Sequence, residues 1–181
     1  GGGAGSSLPK SAITEFSIQS GGFEAEYGNA LSGVVNIITR RGGDLHSLVM
    51  RAEKDDWIGG TVSRQNNHLT ELEMTLSGPI IKERLHYFTA NTFQLNDTRW
   101  WQDFDRFFPS PVTTDYGGMG KLDFTFSPRV RLTAQEVYSL KKWRDYEFSW
   151  RFNLGGLPAR KRSSFRTTAT LSHTLSDLIH Y

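Results

Sequence analysis

Cysteine is absent from the 181 residues, which excludes a disulfide scaffold, a thiol nucleophile and a cysteine-based zinc site. No run of about 18 apolar residues occurs, so no transmembrane helix is expected. Neither sign of charge dominates: 21 Lys+Arg against 19 Asp+Glu leave +2, too little for the global basic field that gathers nucleic acid. Residues 1–7 have no apolar stretch and are not expected to act as a signal peptide. Catalytic signatures are missing too. The histidines at 46, 68, 86, 173 and 180 form no i, i+4 pair around a glutamate, and no G-x-S-x-G occurs. Gly117-Gly118-Met119-Gly120-Lys121 departs from a phosphate loop, because Leu122 stands where Ser or Thr is required and a strand follows instead of a helix. No catalytic residue, metal ligand or cofactor is therefore expected, and the chain is not expected to be an enzyme. These absences leave a transmembrane β-barrel open, because its alternating strands escape hydropathy averages.

What is present is divided unevenly. Twelve of the 18 glycines fall in residues 1–60, whereas only Phe16, Phe23 and Tyr27 of the aromatics precede Trp57. The shift places a boundary at Gly42-Gly43-Asp44, a turn signal, and divides the chain into residues 1–45 and 46–181. In the first part Val34-Val35-Asn36-Ile37-Ile38-Thr39 is β-branched and short, as a mostly buried strand should be, and residues 13–18 form a weaker strand. No window sustains helical spacing with caps.

The second part alternates. Leu72-Glu73-Met74-Thr75-Leu76-Ser77 and Lys121-Leu122-Asp123-Phe124-Thr125-Phe126 change character at every step, and 130–135 and 170–175 follow the same pattern. Period-2 alternation gives each strand one apolar and one wet face. Short connections at 78–84, 127–129 and 176–177 alternate with long ones at 96–115 and 141–163, with 54–68 as a third long candidate. Short turns on one rim and long loops on the other is the organisation of outer-membrane barrels. Segments 85–95, 116–126, 130–140 and 165–175 match the about 9–11 residues that a tilted strand needs to cross hydrocarbon. The cluster Trp143, Tyr146, Phe148, Trp150 and Phe152, just past a strand end, suits an interfacial aromatic belt.

Residues 23–43, from Phe23-Glu24-Ala25-Glu26-Tyr27-Gly28 through Gly33-Val34-Val35-Asn36-Ile37-Ile38-Thr39-Arg40-Arg41, resemble the end of the plug domain of TonB-dependent outer-membrane receptors. The Ser-Gly-Pro-Ile turn at 77–80, the aromatic strand that follows it and Ser172-His173-Thr174-Leu175-Ser176 resemble the barrel start of the large Oar-like branch. The resemblance implies an all-β chain: the C-terminal part of a plug, then roughly the first six or seven of about 22 antiparallel strands of a transmembrane barrel. It implies a fragment of a longer chain in the outer membrane of a Gram-negative bacterium. An extracellular solute would enter through the plugged barrel, with energy from the TonB complex engaging a part of the chain absent here. The expected surroundings are outer-membrane lipid, lipopolysaccharide and the rest of the same barrel, with no nucleic acid.

Candidate residues follow. Tyr27, Gly28, Gly33 and Asn36 belong to the plug motif as structural devices. Arg40 and Arg41 close the plug strand; the resemblance implies that they anchor the plug to barrel glutamates, against the plainer reading of solvated turn charges. Trp100, Trp101 and Arg106 sit in the densest aromatic loop and are candidates for ligand binding, against self-packing or contact with lipid headgroups. Asp97, Asp103 and Asp105 lack the glycine and glutamate of a calcium loop. Lys141, Lys142, Arg144, Arg160, Lys161 and Arg162 make the second long loop basic and are candidates to meet lipopolysaccharide phosphates or an anionic ligand, against a merely solvated face. The alternative function is a soluble extracellular β-module that binds glycans through the Trp100-Trp101 loop.

Overall fold

The computed structural model describes residues 9–19, 34–55, 69–97, 111–145, 147–176 and 179–180. It is all-β, with two antiparallel sheets and, among the described residues, only three short 3-10 turns at Lys10–Ala12, Phe148–Trp150 and Leu154–Gly156. A two-stranded sheet pairs β1 (Ile13–Gln19) with β2 (Val34–Thr39). A seven-stranded sheet holds β3 (Ser47–Lys54), β4 (Thr70–Ile81), β5 (Leu85–Asn96), β6 (Thr113–Ser127), β7 (Val130–Trp143), β8 (Arg160–Ser176) and β9 (Ile179–His180) in chain order. Each strand pairs with the next, so the sheet is a meander with no crossover.

The strands are longer than the alternating cores alone predict. β8 starts at Arg160 because its polar end stays in register with β7, where Lys142 faces Lys161 and Trp143 faces Arg160. β4 continues through Gly78-Pro79-Ile80-Ile81, which the sequence reads as part of a turn; the turn itself is only 82–84. Proline is tolerated there because it sits at a register shift, between Pro79 and Ile81, and because the β3–β4 pairing reaches no further than Ser77. The tight turn places Glu83 at φ 62, in the left-handed region. The next short turn is 128–129, whereas the connections at the opposite ends of the strands run over 55–69, 97–112 and 144–159.

Gly117, Gly118 and Gly120 lie inside β6, in the strand and not in a loop. Gly118 is required by close approach: a side chain there would meet the ring of Tyr138 and Asn91 Oδ1. The tyrosine covers the bare glycine backbone, donates its hydroxyl hydrogen to Asn91, and lies 3.2 Å, oxygen to oxygen, from Tyr116.

Candidate functional site

Register assigns every described residue of β3–β8 to one of two faces, since directly opposed residues share a face and successive ones alternate. One face is polar. It carries Glu71, Glu73 and Thr75 on β4, Lys121 and Asp123 on β6, and Thr133, Gln135 and Ser139 on β7. Neighbouring strands bond across it: Thr133 donates to Asp123 at 2.7 Å, and Ser139 and Ser164 lie 2.7 Å apart.

The small sheet sits on this polar face, and its contacts are mainly polar. The amide of Ser11 donates to Glu73 Oε1 at 2.9 Å, and Thr75 donates to the Ser11 hydroxyl at 2.9 Å. Lys121 Nζ donates to Thr39 Oγ1 at 3.1 Å and to the Thr39 carbonyl at 3.4 Å, while Thr39 Oγ1 donates to Gln135 at 3.2 Å. Lys10 lies 4.0 Å from Glu71. At the centre is an apolar island, where Ala12 packs with Phe88, Ala90, Met119 and Val137; Ala12 and Met119 are fully buried. Glu73, Thr75, Lys121 and Asp123 are buried around it. Buried polar groups with partners hold a geometry without a large hydrophobic gain, since each hydrogen bond nets only about 0.5–1.5 kcal/mol.

The other face is apolar and uncovered. Leu48 is 59% exposed, Met50 61%, Leu122 45%, Phe165 67% and Leu171 66%, and all five share this face. Apolar exposure at this many positions of one face marks a surface of interaction. At mid-height the face carries a shallow cavity of about 310 Å³, lined by Tyr87, Thr89, Gly120, Leu122, Ala134 and Glu136 among others. Glu136 is the charged side chain of its middle row, opposite Gly120 and Thr167.

The candidates from sequence fall unevenly on this geometry. Tyr27, Gly28, Gly33, Trp100, Trp101 and Arg106 lie outside the described residues. Asn36 stands in β2 opposite Ser17. Arg40 and Arg41 follow β2 directly and are exposed; the Arg40 amide donates to the Ala12 carbonyl at 2.9 Å. Arg41 lines a shallow cavity with Arg129 and Arg131, and among the described residues neither Arg40 nor Arg41 makes an ion pair. Asp97 accepts the Val112 amide at 2.9 Å and so ties together the two ends of the long connection; among the described residues no group of three or more potential metal ligands gathers. Among the described residues the polar contacts that join the sheets run through Ser11, Thr39, Glu73, Thr75, Lys121 and Gln135. Sequence reasoning placed Lys121 in an alternating strand but had no signal for its partner, which is 82 positions away in the chain.

Comparison of the chain with family models, with curated proteins and with solved structures found no match. Among the described residues no helix is long and apolar enough to cross a membrane, which says nothing of β-barrels.

Proposed function

We propose that this chain is part of a TonB-dependent outer-membrane transporter, with β3–β9 as barrel wall and the β1–β2 unit as the tail of the plug. The single observation that carries the reading is the inverted order of the large sheet. Over β4–β7 its polar face is the covered one, and its apolar face is the bare one. Such a sheet suits hydrocarbon outside and a wet, plugged lumen within. The alternation of short turns with long connections supports the same orientation, with the long ones outward from the cell. The resemblance of residues 23–43 to the plug motif supplies the family, the solute-uptake role and the dependence on TonB.

The 181 residues hold no cysteine, so labels can be introduced one at a time within them, in a full-length background cleared of any other cysteine. In the full-length protein in bilayers, Leu122→Cys and Leu171→Cys carry spin labels on the apolar face, and Thr168→Cys and Ser172→Cys on the polar one. Labels of the first pair should be relaxed by lipid-soluble oxygen, and those of the second by a water-soluble nickel chelate. Equal access of the chelate to all four overturns the barrel reading and favours the soluble glycan-binding module.

A further inference from the structure

The apolar face ends in a pair of like charges. Lys142 on β7 and Lys161 on β8 stand directly opposite each other, both exposed, at the strand ends that carry the long connections. Like charges facing each other across an antiparallel pair are destabilising unless a counter-charge lies between them. Among the described residues none does. Asp145 and Glu147 are engaged by Arg160, at 2.9 and 3.4 Å. Asp115 lies 4.0 Å from Lys141, on the polar face.

The two lysines border a cavity of about 280 Å³, whose walls include Pro111, Val112, Thr114 and Trp143. Arg144 and Arg160 line it too; Arg144 is held by the Leu157 carbonyl at 3.2 Å. Along β7 the apolar face runs Leu132, Ala134, Glu136, Tyr138, Leu140 and then Lys142. The lysine therefore comes about 7 Å along the strand past the last apolar side chain, at the level where, in the barrel reading, hydrocarbon gives way to headgroups. Lysine stems can cover the apolar edge while their heads reach upward.

We propose that Lys142 and Lys161, with the cavity they border, bind the phosphate of a glycolipid headgroup in the outer leaflet. The inference rests on the outer-membrane reading and gives it a specific lipid contact. The phosphate oxygens accept from both ammonium groups and from the Thr114 hydroxyl, and the anion removes the repulsion built into the register.

The test uses the full-length protein in phosphatidylcholine nanodiscs, with or without a bis-phosphorylated glycolipid, read by thermal melting and by lipid retained in native mass spectra. The expected result is a raised melting temperature and a retained glycolipid. In the Lys142→Gln/Lys161→Gln double variant glycolipid affinity should fall about tenfold or more. Lys142→Arg/Lys161→Arg and the opposite-face control Lys141→Gln should keep it. An equal shift with inorganic phosphate alone overturns the lipid assignment. Unchanged glycolipid retention in the Gln variant overturns the site while leaving the barrel reading intact. A protein that enters no bilayer, judged by heat-modifiable gel mobility, overturns the barrel reading and this site with it.

Discussion

The two faces of the large sheet are built by the same strands, one residue out of phase, yet they solve opposite problems. The covered face is held by hydrogen bonds around one small apolar island, from Ser11–Glu73 to Lys121–Thr39. The uncovered face offers leucine, methionine and phenylalanine to whatever surrounds it. A water-soluble sandwich of this composition would bury the second face and wet the first. The reversed arrangement is what makes the solvent, and not the strand pattern, the informative variable.

The largest expected effect separates the faces outright. In the outer-membrane reading, Leu122→Arg puts a cation at mid-height in hydrocarbon and costs about 2–4 kcal/mol, whereas Thr168→Arg on the polar face costs little. Denaturant titration of the folded fraction in bilayers measures both; equal effects would remove the distinction. Next is the covered face. Lys121→Met removes a charged donor from Thr39 and should loosen the small sheet by about 1.5–3 kcal/mol. Amide exchange should rise in 34–39 and stay unchanged in the β6–β7 ladder.

Glu136 offers a smaller gain. Replacing it with leucine removes the lone charge of the apolar face's middle row and should stabilise the bilayer-embedded sheet by less than about 2 kcal/mol, on the same titration. A loss of stability would show that the carboxylate has a favourable partner there. The smallest effect lies at the turn: Glu83→Gly relieves a left-handed backbone by about 1 kcal/mol and should act alike in bilayer and detergent, since it belongs to neither face.

Alternation made β4, β6, β7 and β8 legible, because polar and apolar residues change at each step and the periodicity survives any tertiary context. The 34–39 strand was equally plain. β3 is not legible in this way: Leu48-Val49-Met50 puts three apolar residues in a row and blurs its period. Proline and glycine at 78–79 suggested a turn too early, since a bulge at a partly unpaired edge was invisible in one dimension. The joint between the sheets was illegible for a different reason. Ser11, Thr39 and Lys121 are ordinary polar residues whose meaning comes only from long-range register.

That joint has a mechanical consequence. Ser11 lies two residues before β1 and Thr39 ends β2, and Ile13 faces Thr39, so the described fastenings gather at a single end of the two-stranded unit. Tension arriving along the chain before β1 would meet them almost together, within a few residues, as a latch and not as a long seam. Once that latch slipped, the seven-stranded sheet behind it would still hold every rung of its own ladder.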